Sequence, residues 1–292
     1  MITLFTTTKD FAGMNRSNQL NAIRSWLFSS YKPEVLIFGR STGIDELGSH
    51  PNLKIIEKVK TTSTGAPFAN EMFNMVSSAA SNDICCFLNA DILLTDNFFE
   101  FVKKVHDKVC SKYLLVGERI DADVADELDF SGEWEKKFKE KCGSSFNDHP
   151  PAGSDYFIFP KAQYRGNVLP ELYIGRPGWD NFMIYHALKN HYKLVDLSPS
   201  VKVYHQNHDY SHLKRPHVAD DSETIQNIKN IPYEHKYLFT LDACNYSYTE
   251  NELRQNYARG DMAKYNTIRQ ATKQLSPYQK IKLKISTFIN KK

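Results

Sequence analysis

The stretch Asp83-Ile-Cys-Cys-Phe-Leu-Asn-Ala-Asp91 decides how this chain is interpreted, because an almost continuous apolar run ends at Asn89-Ala90-Asp91. An apolar run of this length is typical of a strand buried on both faces of a parallel sheet. In open α/β sheets, ligands bind where such strands end at the carboxyl edge. Asp91 therefore either faces a metal ion and a diphosphate or caps the following turn, and the stretch alone leaves both open.

Length and composition limit the classes of protein to which this chain can belong. The 292 residues suffice for one large domain or two small ones, with 41% hydrophobic and 24% charged residues. A net charge of +3 is too weak to favour nucleic acid as the main partner. The five cysteines include the neighbours Cys85 and Cys86, which we expect on opposite faces of a buried strand as reduced core residues. With no predicted signal peptide or membrane span, we expect a cytoplasmic enzyme or binding protein.

Strand patterns alternate with helical patterns through the first part of the chain. Strands are predicted at residues 2–5, 34–39, 53–59, 83–89, 113–117 and 155–160. Helices are predicted over 17–31, with Ser17 as N-cap, after Pro67, after Thr95 or Asp96, and after Asp180. This alternation predicts an α/β fold with a Rossmann-like, mainly parallel sheet flanked by helices. We assign 1–117 to a nucleotide-binding half and 118–215 to an acceptor half.

The C-terminal part differs from the rest of the chain in composition. Residues 216–292 are polar and predicted to form a helical C-terminal extension, whose last 17 residues, from Ser276, are basic and amphipathic. Such a tail either lies on an anionic membrane surface or packs on its own domain or a second copy. A peripheral membrane contact is therefore one of two expectations for the tail.

Four polar clusters follow predicted strands or loops, and in a doubly wound sheet we expect them to converge on one edge. They are Thr6–Lys9, Asn89–Asp91, Trp179–Asp180 and His205–His212. Sugar transfer from a nucleoside diphosphate would use them, because a divalent cation held by carboxylates stabilises the departing diphosphate. Asp91 with His205 can hold Mn²⁺ or Mg²⁺, and Asp180 is the candidate base for the acceptor hydroxyl.

The catalytic and metal assignments have structural alternatives. Asp180 can instead serve only as the N-cap of the helix that follows, and His205 can be a hydrogen-bonded histidine at a strand end. His208 and His212 have the i, i+4 spacing of a zinc pair on a helix, but the residues between them are typical of a loop.

Two further residues are equally open. Arg119 either clamps a phosphate or pairs with Asp121 or Asp123. Trp179 either stacks on a sugar ring or fills the core.

Together these residues resemble the GT-A glycosyltransferases, in particular family 2-like enzymes, over roughly residues 1–215. Phe87-Leu-Asn-Ala-Asp91 looks like their metal-binding Asp-x-Asp motif, with Asn89 in place of the first carboxylate, which leaves Asp91 as the main metal ligand. Gly178-Trp-Asp-Asn181 is similar to the segment that carries the base of inverting members. His205 corresponds to a later histidine that some members place on the metal or diphosphate.

The same resemblance implies where a donor would bind. Gly65-Ala-Pro-Phe-Ala-Asn70 looks like the loop and helix start beside the donor ribose and phosphate, and Thr6 to Thr8 match the position that holds base and ribose. The predicted donor-binding residues are Thr6, Thr7, Thr8, Gly39, Gly65, Pro67, Asn70, Asn89, Arg119 and Trp179.

The sequence thus predicts a metal-assisted, inverting glycosyltransferase. The donor would be a nucleoside-diphosphate sugar of UDP or GDP type, and the acceptor a glycan or lipid-linked glycan, as in the synthesis of a surface polysaccharide. The alternative, favoured by Asn89, is a non-catalytic nucleotide-sugar or carbohydrate-binding module on the same fold. A nucleotidyltransferase ranks last, because Thr6-Thr-Thr-Lys9 replaces the glycine-rich basic loop expected after its first strand.

Overall fold

The computed structural model describes residues 1–62, 65, 67–109, 112–151, 154–208, 222–231 and 239–256. The strands are β1 (Ile2–Thr6), β2 (Glu34–Phe38), β3 (Leu53–Ile56), β4 (Ile84–Leu88), β5 (Ile92–Leu93), β6 (Tyr113–Val116), β7 (Ile120–Ala122), β8 (Asn147–Asp148), β9 (Tyr156–Pro160), β10 (Lys193–Asp196), β11 (Tyr204–Gln206), β12 (Tyr246–Thr249) and β13 (Glu252–Gln255). The helices are α1 (Gly13–Leu27), α2 (Ala69–Ala79), α3 (Asp96–Lys108), α4 (Trp134–Cys142), α5 (Trp179–Lys189) and α6 (Ser222–Asn230).

In the described part of the chain, nine strands form one sheet in the order β13-β12-β10-β6-β9-β4-β1-β2-β3. Parallel pairs join β1 to β2 and β4, β2 to β3, and β10 to β6 and β12. Strand β9 runs antiparallel between β4 and β6, and β13 is antiparallel at one edge. The predicted α/β fold with a mainly parallel sheet flanked by helices is confirmed.

Helices cover both faces of this sheet, so its strands are buried on both sides. Phe5 and Cys85 pack with α2 and α5, whereas Leu4 and Cys86 pack with α1 and α3. Neighbouring residues therefore point to opposite faces, as the strand period requires. The two cysteines are free and buried, and burial raises the pKa of the Cys85 thiol to about 12. They are core residues, as predicted.

The first helix begins earlier than its apolar period indicates. It starts at Gly13, so Ser17 lies inside the helix and the prediction of Ser17 as N-cap was wrong. The residues that follow the first turn bury polar side chains, among them Gln19, which an apolar period does not count. Gln19 accepts a hydrogen bond from the backbone N–H of Lys9 at 2.7 Å and donates one to its carbonyl at 3.0 Å. These bonds satisfy a buried amide that periodicity treats as surface.

A second, small sheet in the order β5-β11-β7-β8 joins β5 of the predicted nucleotide-binding half to three strands of the predicted acceptor half. Strand β11 pairs antiparallel with β5 and parallel with β7. Helix α4 contributes Trp134 and Phe138 to the cluster that covers it, together with Tyr204 of β11. This sheet ties His205 of β11 to the chain that follows β4.

The prediction of a helical extension over 216–292 needs correction. Helix α6 is present, but Tyr246–Thr249 and Glu252–Gln255 form a hairpin that extends the main sheet next to β10. Tyr248 is inaccessible and Ser247 beside it is also buried, so the hairpin packs into the sheet although its composition is mostly polar. The basic tail from Ser276 lies outside the described residues. In the described part of the chain, none of the helices has the length and apolar character needed to cross a membrane.

Candidate active site

The carboxyl ends of the parallel strands gather the polar clusters at one edge of the main sheet. Strands β1 and β4 are neighbours, so Thr6 and Asn89 end side by side. Strand β9 runs the opposite way and therefore begins at this edge, where the Asn89 N–H donates to the carbonyl of Asp155 at 3.0 Å. The inserted antiparallel strand thus adds a carboxylate that a purely parallel sheet would place elsewhere.

The backbone of Asp91 is fixed by Gln206, which is fully buried. The backbone N–H and the Nε2 of Gln206 donate to the carbonyl of Asp91 at 3.2 and 3.1 Å. Gln206 Nε2 also donates to the carbonyl of Asn18 at 2.8 Å, and its Oε1 accepts from Asn21 Nδ2 at 3.0 Å. Because every polar atom of this amide has a partner, Asp91 is held by a satisfied network and not by a loose loop.

Two histidines face the carboxylate of Asp91. His205 Nε2 lies 3.7 Å and His208 Nε2 lies 3.3 Å from Asp91 Oδ2. One ligand atom from each of the three residues falls within 4.8 Å of the others. Within the described part of the chain, the second oxygen, Asp91 Oδ1, is buried without a hydrogen-bond partner. An unsatisfied buried carboxylate oxygen beside two imidazoles is the donor set of a divalent metal site, so these residues fit a cation.

The charge state of Asp91 also suits a ligand. Burial by itself raises the pKa of Asp91, but the hydrogen bonds and positive charge of His205 and His208 outweigh it and hold the pKa well below its usual range. The carboxylate is therefore ionised across the range in which an enzyme works.

Asn89 and Arg119 belong to a neighbouring polar network. Asn89 Nδ2 donates to Asp155 Oδ1 at 2.7 Å, so its side chain faces Asp155. Arg119 donates from Nη1 to Asp155 Oδ2 at 2.8 Å and from Nε to Asp121 Oδ1 at 2.9 Å. Of the two roles predicted for Arg119, pairing with Asp121 is the one seen, and the guanidinium is only 12% exposed.

Asp180 lies in the first turn of α5, which follows Gly178 in the left-handed region at φ 96°. Burial raises the pKa of Asp180 to about 6, and the charge of Asp155 adds to this shift, against the backbone N–H bonds of Asn181 and Gly178. A carboxylate with a pKa close to neutrality is suited to accept a proton in catalysis. Asp180 is not the N-cap of this helix, as the capping alternative required, because α5 begins at Trp179 and Gly178 occupies the N-cap position.

Trp179 lies in the core. Its ring is 6% exposed and meets Phe87 and Phe157 edge-on, with centroids 4.9 and 5.2 Å apart. The predicted stacking on a sugar ring therefore gives way to the core alternative. The reason is that α5 packs flat on the sheet, which turns its first residue inward while the next residue, Asp180, stays at the edge.

The threonines after β1 and the glycine after β2 lie at the same edge. Thr6 is buried and its Oγ1 donates to the carbonyl of Thr7 at 3.2 Å. Thr8 shares a 2.8 Å hydrogen bond with Ser41, which joins the ends of β1 and β2. Gly39 closes β2 at φ 92° and donates its N–H to the carbonyl of Ile56 at 2.9 Å. These residues form a polar rim at the carboxyl edge of β1 and β2.

The segment before α2 presents a second candidate for donor contact. Gly65 has φ 86°, and Pro67 forms an isolated β-bridge with Thr61. Asn70, in the first turn of α2, has a buried Oδ1 without a hydrogen-bond partner among the described residues. A buried orphan acceptor at this position remains available to a ligand donor.

Three residues of the site carried little or no sequence signal. Asp155 is drawn in by the antiparallel β9, and Gln206 resembles any polar strand end. The spacing that singled out His208 in the sequence is the i, i+4 pair with His212, and His212 lies outside the described residues. Only the three-residue spacing between His205 and His208 hinted that both could reach one ligand.

Comparisons with known proteins bear on the fold. No family model matches the sequence, and no curated protein matches it at a significant level. The crystal structure of S. aureus TarS 1–349 in complex with UDP-GlcNAc aligns with a TM-score of 0.51 at 12% identity, over 81% of this chain and 68% of that one.

Two other crystal structures align less well. A second TarS 1–349 structure gives a TM-score of 0.45 at 12% identity, over 70% of this chain and 60% of that one. A putative nucleotide-diphospho-sugar transferase from Desulfovibrio desulfuricans G20 gives 0.41 at 10% identity, over 78% and 94%. The chain therefore spans between 60% and 68% of these TarS fragments. It has a GT-A-like glycosyltransferase fold, as the sequence resemblance implied.

Proposed function

We propose that this protein transfers a sugar from a nucleoside-diphosphate donor to a hydroxyl group of a glycan or lipid-linked glycan. The observation that carries the proposal is the grouping of Asp91, His205 and His208 at the carboxyl edge of a GT-A-like sheet. The UDP-GlcNAc in the aligned TarS structure supports a donor of UDP type. Nucleotide-sugar transfer accounts for a cation site and a carboxyl of raised pKa at the same edge.

Asp91, His205 and His208 would hold the cation, with Asn89 excluded by its bond to Asp155. When bound, a divalent cation stabilises the negative charge that develops on the departing diphosphate. Two imidazoles and one carboxylate favour Mn²⁺ over Mg²⁺, since Mg²⁺ prefers oxygen ligands. The donor set therefore narrows the choice between the two cations expected from the sequence.

Asp180 would be the base. The acceptor oxygen forms a bond to the anomeric carbon, its proton passes to the Asp180 carboxylate, and the bond to the diphosphate breaks with its electron pair on the leaving group. A single displacement of this kind inverts the anomeric configuration. Thr6, Thr7, Thr8, Gly39, Gly65, Pro67 and Asn70 would contact the nucleotide side of the donor.

Substitutions at the two carboxylates test this proposal. Asp91→Asn should abolish both Mn²⁺-dependent stabilisation by UDP-sugars and sugar transfer, whereas Asp180→Asn should abolish transfer but keep donor binding. Thermal shift follows binding, because a ligand that binds the folded state raises its stability. Asp126→Asn is a matched control, since Asp126 pairs with Lys141 on an exposed surface. Normal transfer by either site variant would remove that residue from the proposal.

A second candidate function is a nucleotide-sugar-binding module without turnover. It is favoured by Asn89, which holds Asp155 instead of supplying a second carboxylate to the cation. Donor hydrolysis and transfer measured with Mn²⁺ separate the two candidates. A binding module would bind the nucleotide-sugar but would release no UDP from it.

A further inference from the structure

Asp121 lies next to His205 on the side of the ring that faces away from Asp91. Strands β7 and β11 are parallel, and their register pairs Asp121 with His205. Asp121 Oδ1 lies 3.2 Å from His205 Nδ1, while the other ring nitrogen, Nε2, faces Asp91 Oδ2 at 3.7 Å. The His205 ring, which is 4% exposed, is therefore held between two carboxylates with one nitrogen toward each.

The carboxylate of Asp121 is itself fixed in place. Arg119 Nε donates to Oδ1 at 2.9 Å, and His149 Nδ1 lies 2.8 Å from Oδ2. The His149 backbone N–H in turn donates to the Arg119 carbonyl at 3.1 Å. An anion with several partners on a strand of the small sheet is a rigid support, because its position does not depend on one side-chain torsion.

We propose that Asp121 is a positioning residue that orients His205 for the cation. By attracting the Nδ1–H, Asp121 leaves the lone pair of Nε2 directed toward Asp91 and His208. Carboxylates behind metal-binding histidines fix the tautomer and the ring orientation in this way. This inference rests on the proposed function, since it takes Asp91, His205 and His208 as the metal ligands.

The contact has the right distance but not yet the alignment of a hydrogen bond. His205 Nδ1 is buried, and none of the residues that the structure describes meets hydrogen-bond geometry with it, although Asp121 Oδ1 is 3.2 Å away. Bonds of this kind are often poorly aligned in a free site and tighten when the ligand binds. Asp121 is the acceptor that is placed to take this proton.

The competing view is that Asp121 only neutralises Arg119. Both views predict some loss of stability on substitution, so stability does not distinguish them. Orientation of a ligand is measured instead by the affinity and the ligand field of the bound metal. Asp121→Asn keeps the side-chain shape and removes the charge. His149→Asn retains an N–H donor facing Asp121 and does not touch His205, so it disturbs the same network from the far side.

The experiment is a titration of the full-length protein with Mn²⁺ and with Co²⁺, without any sugar substrate. Calorimetry gives the affinity, and the visible absorption of bound Co²⁺ reports its ligand geometry. We expect Asp121→Asn to weaken metal binding by about 10- to 100-fold and to alter the Co²⁺ spectrum. His149→Asn and the exposed control Asp126→Asn should keep the metal affinity within about twofold of the parent protein, below the smallest loss expected for Asp121→Asn, and should leave the Co²⁺ spectrum unchanged.

The outcomes separate this inference from the proposed function. If the parent protein binds metal and Asp121→Asn binds equally well with an unchanged Co²⁺ spectrum, the role of Asp121 is wrong and the metal site stands. Equal losses in Asp121→Asn and His149→Asn, with unchanged spectra, would leave Asp121 a structural partner of Arg119 and also overturn the inference. If the parent protein binds neither metal, the role of a cation in the proposed function is wrong, and this inference is wrong as well.

Discussion

Replacing Asp180 with Asn should make the folded protein more stable at neutral pH while it abolishes sugar transfer. Asp180 is partly buried in the first turn of α5, and burial raises its pKa from 3.8 to about 6. The folded state therefore holds the proton more tightly than the unfolded chain does. Ionising this carboxyl above its folded pKa lowers the free energy of unfolding. An asparagine at the same position does not ionise, so the variant keeps that stability.

The size of the effect follows from the two pKa values. They differ by about two pH units, and each unit corresponds to about 1.4 kcal/mol, which gives an upper limit of about 3 kcal/mol. A raised carboxyl pKa contributes stability that is fully present below the unfolded pKa and is lost as pH rises through the folded pKa. The gain of Asp180→Asn over the parent should thus be absent below about pH 4, grow between about pH 4 and 6, and stay constant above.

Urea unfolding measures this gain directly. The three tryptophans of the chain provide a fluorescence signal, and the free energy of unfolding of both proteins is compared over a pH series. Asp126→Asn is the control, because Lys141 lowers the pKa of Asp126 and its neutralisation should give no gain at any pH. A variant less stable than the parent at neutral pH, or a difference independent of pH, would refute the argument that desolvation raises this pKa.

Three further predictions address the base, the start of α5 and the buried ion pairs. The rate of sugar transfer at low substrate should fall as pH drops through about 6, because Asp180 becomes protonated; a rate that is flat from about pH 5 to 7 would exclude it as the base. Gly178→Ala should cost about 2 kcal/mol or more in urea unfolding, since its φ is 96° and the new Cβ would lie 2.7 Å from Ile231 Cδ1. Gly132→Ala, with φ 61° and open space around it, should cost only about 1 kcal/mol, and equal costs would mean that the Ile231 contact relaxes. Arg119→Met should lower the free energy of unfolding by about 3 kcal/mol, because Asp121 and Asp155 would lose their shared cation in a largely buried setting; a loss below about 1 kcal/mol, as for exposed pairs, would contradict this.

Local patterns were enough to place six strands of the main sheet and one end of the site. The apolar run before Asp91 forms β4, and the polar residues after it lie at the carboxyl edge, because a parallel sheet aligns the ends of its strands. Asp180 could be located from the loop that starts α5. The convergence of Asp91 with His205 was also predictable as an expectation of this fold, since both residues were expected at strand ends.

Local patterns failed where tertiary contacts override them. The apolar period of α1 misses the buried amides that bind Lys9 and Gln206, because periodicity has no means to distinguish these from surface residues. The hairpin at 246–255 is polar by composition and becomes strand only because the edge next to β10 accepts it. Trp179 is a core residue because α5 lies on the aromatic face of the sheet.

The fold class and the sheet edge expected to carry the active site follow from the sequence, because strand and helix periods record which residues are buried. Which side chains meet at that edge follows from the tertiary structure. The antiparallel insertion of β9 carries Asp155 to Asn89, and the pairing of β7 with β11 carries Asp121 to His205. Both juxtapositions join residues far apart in the chain through sheet register, and register is set by long-range backbone pairing that local sequence patterns do not encode.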